Sequence, residues 1–334
     1  MSRTLGLGLE VPDAALEAEL RERLDRVEEA LRDAVRSDSP LVTEAAGYLL
    51  RAGGKRFRPL LLLLGGFFGD RDEPKLISGA VAVELTHLAS LYHDDVIDEA
   101  DARRGIPSAN ARWDNTVAIL TGDYLFARSS AIGAELGPGV SRLLADTIGR
   151  VSEGQIHEVE AAGRVDIDEA TYLDVIDRKT ASLIATACRL GGTLAGAPTD
   201  QVEALERFGR ALGLAFQLSD DIMDLTSDQA TLGKEPGVDL KEGVYTLPVI
   251  LALRDSDHRD ELRDLLGPEP PTGERFARAR DIVRSDGAMD TARDAVSAQV
   301  RAALAEAGHL PSASPRDALE HLAGFLAARC GAGP

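Results

Sequence analysis

The chain has 334 residues, 44% of them hydrophobic but only 4% aromatic, so a sizeable core is available and Leu, Ala, Val and Ile must build it. A formal net charge of −19 argues against non-specific attraction to nucleic acid or to an anionic membrane. The two cysteines, Cys188 and Cys330, have no metal-ligand spacing and cannot form a disulfide framework, which fits a reducing cytosol.

Taken in chain order, the first twenty residues lack an apolar signal core. Residues 13–36 place Leu16, Leu20, Leu24, Val27, Leu31 and Val35 three or four apart, the spacing of an amphipathic helix. A second helix over 41–51 leads into Gly53-Gly54, and Pro59 suits the first turn of a third. The longest apolar run, 60–69, is too short to span a bilayer, which takes about 20 residues. After a turn at 70–74 the pattern predicts a helix from about 75, broken by Ile106-Pro107-Ser108, and another over 115–135. Gly137-Pro138-Gly139 is a break. Helices over 140–162 and 169–196 follow, and a long helix over 200–227. Residues 226–243 read as a polar, Gly-containing loop with Lys234 and Lys241. A helix opens at 246–254, and the Pro-rich loop 266–273 precedes the last helices. No convincing strand pattern and no repeat appears, and short connections join the elements. The expectation is one all-α domain over 1–334, a bundle of about ten or more helices around a single core.

The chemistry concentrates in residues 84–105. Asp94 and Asp98 are one helical turn apart, which stacks their carboxylates about 5–6 Å apart at Cβ. Close carboxylates repel unless a proton or a metal lies between them. Asp95 sits beside them, and His87 lies two turns back on the Asp94 face. Asp220, Asp221 and Asp224 repeat the spacing far downstream. Both triplets follow apolar stretches, unlike a solvated acidic face. Carboxylate oxygens in ones and twos suit Mg²⁺, which keeps water and takes substrate phosphates as further ligands. Basic residues accompany them: Lys55, Arg56 and Arg58 before a helix, Arg103-Arg104 after the first triplet, Lys179-Thr180 within a predicted helix, and Lys234 after the second triplet. Arg holds phosphate with a planar fork and Lys as a point charge. Gln217 shares a face with Asp220, and a buried Gln needs partners.

With GGKRFRP (53–59), HLASLYHDDVIDEADARRG (87–105), GDYLFAR (122–128), KTASL (179–183), FQLSDDIMD (216–224) and LGKEPGVDLKEG (232–243), the sequence resembles the trans (E-type) isoprenyl diphosphate synthases, or polyprenyl synthetases. The resemblance implies an isoprenoid-synthase bundle around a central apolar cavity. It also implies the reaction: an allylic diphosphate, bound through Mg²⁺ (three ions) between the Asp motifs, ionises and alkylates isopentenyl diphosphate. By motif, Asp94 and Asp98 are metal ligands, as is Asp220, with Asp224 joining directly or through water, and Asp95 and Asp221 in support. Arg103, Lys179 and Lys234 resemble the allylic-diphosphate grips, and Lys55, Arg58, His87 and Arg104 the isopentenyl-diphosphate grips. Thr180 and Gln217 stand by the allylic cation. One departure is Val244, where many members have Lys; Lys241 is its possible substitute. Small residues at Ala89 and Ser90, where short-chain relatives often carry an aromatic floor, imply a long product, heptaprenyl or above, as for a quinone side chain. The alternatives are geranylgeranyl diphosphate synthase, a class I terpene cyclase and a non-catalytic partner subunit. The cysteine usage and the lack of a signal core or spanning stretch point to the cytoplasm, and the resemblance implies a homodimer.

Overall fold

The computed structural model describes residues 11–70, 73–226, 236–267, 269–285 and 287–333. Lys234 lies outside them. The described residues are overwhelmingly helical, as the periodicity predicts. They fall into two compact units. One holds the residues up to Ile148 with Leu183–Glu206 and Gly308–His321. The other holds Gly149–Ser182, Arg207–Ala307 and the residues from Leu322 on.

In the first unit, α1 (Ala14–Ala34) starts at Asp13, whose side chain accepts from the amides of Ala15 and Leu16 at 2.8 and 3.2 Å. Its buried stripe holds Leu16, Leu20, Val27 and Leu31, as expected, but Arg23 rather than Leu24, with the Arg23 guanidinium 4.9 Å over the Phe67 ring. The helix expected over 41–51 is two helices, α2 (Pro40–Ala46) and α3 (Tyr48–Arg51), parted at Gly47. Then α4 (Phe57–Gly66) is apolar on every side beyond Arg58 and is buried there; Leu60 to Leu64 are all fully enclosed. Each such leucine contributes about 1.5–3 kcal/mol of transfer free energy.

The next helix, α5 (Glu73–Ile97), packs against α1, α4 and α7 (Asn115–Leu136). Its contact with α7 is close because α7 turns Ala118, Gly122, Ser129 and Gly133 inward. The Ser129 hydroxyl donates to the Ala82 carbonyl at 2.8 Å and lies 2.8 Å from that of Thr86. Between them, Ala102–Arg103 (β1) pairs antiparallel with Ile106–Pro107 (β2), followed by the short α6 (Ala109–Arg112). Arg103 opposes Ile106, so Arg104 and Gly105 form a two-residue turn, both at positive φ (54° and 77°). That is the geometry a tight hairpin requires.

Further on come α8 (Pro138–Ala161), α9 (Glu169–Ile176), α10 (Ser182–Leu194) and α11 (Thr199–Thr226). The helix expected over 169–196 is not continuous. Asp177–Ala181 forms a π turn between α9 and α10. Asp177, buried there, accepts from Arg210 at 2.6 and 2.7 Å and from Arg150 at 2.8 Å. The short α12 (Val238–Lys241) precedes α13 (Leu247–Asp255), which packs against α9, α14 (Arg259–Leu265), α15 (Gly273–Ser285) and α16 (Ala288–Ala307). The last helix is α17 (Ser314–Arg329). Among the described residues no helix is long and apolar enough to cross a membrane.

Candidate active site

The first aspartate triplet ends α5. Asp94 is half-buried and Asp98 exposed, and the Asp98 amide donates to the Asp94 carbonyl at 2.8 Å, so the helical register carries through both. Asp95 points inward and is fully enclosed. Burial pushes its carboxyl up, while Arg103, donating from Nε at 2.6 Å, pulls it down. Its Oδ2 has no hydrogen-bond partner and retains capacity for a further donor. The hairpin therefore ties Arg103 to the end of α5.

Arg104 turns the other way. Its Nη1 donates to the carbonyls of Leu49, at 2.9 Å, and Gly53. This brings it to the loop before α4. Gly53 there sits at φ 91°, which glycine adopts without strain. A Cβ on Gly54 would collide with Arg56 Nη1 and approach Arg104 Nη1 to 3.1 Å, so the loop lies close on both guanidiniums. Lys55 is exposed and Arg58 half-buried. Arg58 Nε is enclosed with no hydrogen-bond partner. Burial, helped by Arg104, pushes its guanidinium down to about 10, against the pull of Glu84. His87 sits in the same group. Burial first, then Arg58, Arg104, Arg56 and Arg103, hold its imidazole well below the usual range, so it is neutral at pH 7. Cations crowded together, with an unpaired N–H among them, form a site for an anion.

The second triplet ends α11. Asp220 is half-buried and accepts from Arg329 of α17. Asp224 is buried; its Oδ2 accepts from the Asp239 amide at 3.3 Å and its carbonyl from the Gly237 amide at 2.8 Å. Asp221 is buried at the end of a hydrogen-bonded series. Thr180 Oγ1 donates to Gln217 Oε1 at 2.9 Å, Gln217 Nε2 donates to Asp221 Oδ1 at 2.8 Å, and Tyr172 Oη donates to Asp221 Oδ2. Burial raises the Asp221 carboxyl to about 7, opposed by the two hydrogen bonds it accepts. Thr180 and Lys179 occupy the π turn, a feature common at functional sites. Lys179 pairs with Glu158, and Gly154 admits the turn's backbone, since a Cβ there would lie 2.9 Å from the Lys179 Cα. The Lys241 ammonium lies 4.8 Å over the Phe276 ring.

Among the described residues no three His, Cys, Asp or Glu side chains are grouped to hold a metal ion on their own. The donor set nonetheless fits Mg²⁺, which binds through one or two carboxylates and completes its shell with water and substrate phosphates. Asp94 and Asp98, a turn apart and unenclosed, are such a pair.

A sequence model described as polyprenyl synthetase matches residues 39–283. The chain belongs to the polyprenyl synthetase family. Within it the chain is 40% identical over 330 residues to a nonaprenyl diphosphate synthase of Mycobacterium tuberculosis, covering 98% of each. It is 47% identical over 268 residues to heptaprenyl diphosphate synthase component 2 of Geobacillus stearothermophilus, covering 80% of this chain and 83% of that one. The crystal structure of a geranylgeranyl pyrophosphate synthase from Corynebacterium glutamicum, complexed with calcium and isoprenyl diphosphate, matches with TM-score 0.87 and 40% identity over 98% of this chain and 100% of that one. As a polyprenyl synthetase the chain is a prenyltransferase, and its all-α fold is the family's.

Sequence reading of this polyprenyl synthetase missed Tyr172, Glu84 and Arg329. Tyr172 carried no signal of its own. Glu84 did: it is a lone acid inside the apolar run 76–89. Tyr172→Phe leaves Asp221 Oδ2 without its donor and is expected to lower kcat by roughly tenfold or more, the scale of losing a hydrogen-bond partner that orients a carboxylate in a site. Steady-state kinetics at saturating Mg²⁺ checks this, and an unchanged kcat contradicts it.

Proposed function

We propose that the chain is a long-chain trans-polyprenyl diphosphate synthase that extends an allylic diphosphate with isopentenyl diphosphate units to heptaprenyl length or beyond, the size of a quinone side chain. The observation that carries the reaction is the division of charge around α5: Asp94 and Asp98 at its open end, and the Arg58–Arg104–His87 group behind them. Asp94, Asp98, Asp220 and Asp224 hold Mg²⁺ (three ions with the allylic diphosphate bound), with Asp95 and Asp221 fixing the first and second triplets. When bound, the ions neutralise the charge that grows on the departing diphosphate. Arg103, Lys179 and Lys234 grip that diphosphate. Lys55, Arg58, His87 and Arg104 grip the isopentenyl diphosphate, and neutral His87 donates a hydrogen bond without adding charge. Thr180 and Gln217 present oxygens to the allylic cation, and the Asp221–Tyr172 contact keeps Gln217 turned. The chain 1–334 works as one catalytic domain, in the cytoplasm and as a homodimer. Adjacent exposed Ile119 and Leu120 of α7 are consistent with a covered face there.

Long products need an unobstructed path. Ser90 is half-buried, with its hydroxyl donating to the His87 carbonyl at 2.9 Å, whereas Ala89 is fully enclosed against α7. Of the two small residues, Ser90 thus has surface to offer a growing chain. Purified protein, Mg²⁺, labelled isopentenyl diphosphate and farnesyl or geranylgeranyl diphosphate, followed by chromatography of the dephosphorylated products, tests the reading. Products of seven or more units are expected, and Ser90→Tyr is expected to shorten them by several units. Wild-type products that stop at geranylgeranyl favour the short-chain alternative. No elongation with any primer favours a partner-dependent subunit, as the two-component name of the Geobacillus stearothermophilus relative describes for that protein.

A further inference from the structure

Beneath the Arg58–Arg104–His87 group lies a buried ion pair to which neither the sequence motifs nor the reaction gives a role. Glu84 of α5 is 2% exposed, three residues before His87 and on the same face. Its Oε1 accepts from Arg56 Nη1 at 3.0 Å. Arg56, 7% exposed, also donates to Glu28 of α1 and, at 3.2 Å, to the Leu50 carbonyl. Although it stands in the basic motif, its guanidinium is committed inward. Its backbone is left-handed, φ 47°, and it caps the start of α4, where Arg58 follows two residues later. Glu84 is also the carboxylate whose charge acts on all three guanidiniums, Arg56, Arg58 and Arg104.

A buried ion pair is weak evidence of stabilisation, because apolar residues of similar size often hold a fold as well or better. This one sits where it orders a loop. Arg56 and Arg104 together take three carbonyls, Leu49, Leu50 and Gly53, on the chain entering the Gly53-Gly54 turn, and the turn rests on both guanidiniums. Glu84 offsets the repulsion that would otherwise separate them.

We infer that Glu84 and Arg56 are positioning residues for isopentenyl diphosphate: they hold the 53–58 loop, Arg58 and Arg104 in binding geometry before the substrate arrives. This rests on the isopentenyl-diphosphate assignment of Arg58, His87 and Arg104 above. A preorganised cation site binds an anion without the cost of gathering its cations. Were Glu84 only a counter-charge, removing it would leave the site more positive and binding tighter. Positioning predicts the opposite.

The test uses full-length Glu84→Gln, Glu84→Asp and the double variant Glu84→Leu/Arg56→Met, whose apolar pair is expected to keep the fold. Steady-state kinetics gives KM for each substrate, and calorimetry without Mg²⁺ gives the affinity for isopentenyl diphosphate alone. Glu84→Gln and the double variant are expected to raise KM and Kd for isopentenyl diphosphate by about tenfold or more, the effect of loosening a polar site by a fraction of an ångström. KM for the allylic primer should stay within about twofold, and Glu84→Asp should fall between the wild type and Glu84→Gln. Unchanged or tighter isopentenyl-diphosphate binding in the double variant overturns the inference, as do equal rises in both KM values. A wild type that binds isopentenyl diphosphate but never elongates would instead contradict the proposed reaction, leaving this assignment standing on the binding data.

Discussion

Asp94→Ala is expected to lower kcat by about a thousandfold or more, the scale of removing a group that stabilises charge built up in the transition state. Asp94 and Asp98 are stacked on α5 at its open end, while Asp95 between them is turned inward to Arg103. In the proposed metal role, loss of either outward carboxylate halves the ligands offered there, and ionisation of an allylic diphosphate depends on neutralising the leaving group. Isopentenyl-diphosphate binding by Arg58, Arg104 and His87 should be unaffected in the same variant. Kinetics paired with metal-free calorimetry makes the distinction. A variant that loses both properties together would show that the effect is on folding, and one that keeps its kcat would remove Asp94 from the metal role.

The second large effect is on stability. Gly191→Val is expected to destabilise the protein by about 3 kcal/mol or more, through overpacking against backbone. A Cβ at Gly191 would land on the Leu62 carbonyl oxygen of α4 and lie 3.1 Å from the Gly65 Cα, and one at Gly65 would lie 2.8 Å from the Cys188 carbonyl oxygen of α10. The two helices meet backbone to backbone, so no side chain can rotate away to make room. Urea unfolding followed by circular dichroism should show a lower midpoint with an unchanged slope. Gly139→Ala, at a site with nothing within 4 Å of the added carbon, is the control and should leave the midpoint nearly unchanged. A wild-type midpoint for Gly191→Val would mean that α4 and α10 are further apart than described.

How much of this was legible in the sequence differs from element to element. The α1 stripe follows from a 3.6-residue period and appears as expected except that Arg23 takes the place of Leu24, and the same period puts His87, Asp94 and Asp98 on one helical face. The repeat of the Asp triplet gave the chemistry, because two identical acidic clusters after apolar stretches have few structural reasons to exist. What stayed hidden depends on residues distant in the chain. Arg56 reads as one more surface cation until Glu28 and Glu84, each 28 residues away, are seen to bury it. The π turn at Asp177–Ala181 shifts the helical register by one residue and carries the Asp177–Arg150–Arg210 cluster, which no local pattern announces. Tyr172 and Asp221 are separated by 49 residues. The burial of Asp95 was hidden for a different reason: three aspartates in five residues look equivalent in sequence, and only helical phase together with the hairpin's return of Arg103 separates the enclosed one from the two that face outward.

The central claim is that the chain offers two diphosphate sites of different chemistry, one built from fixed cations and one from carboxylates that need metal. Isothermal titration of the wild type tests it most directly, with isopentenyl diphosphate and with a non-ionising thiolodiphosphate analogue of the allylic primer, each in the presence and absence of Mg²⁺. The account predicts that isopentenyl diphosphate binds metal-free protein with little change on adding Mg²⁺, and that the allylic analogue binds only when Mg²⁺ is present. Allylic binding that is indifferent to Mg²⁺, or isopentenyl binding that requires it, would contradict the account.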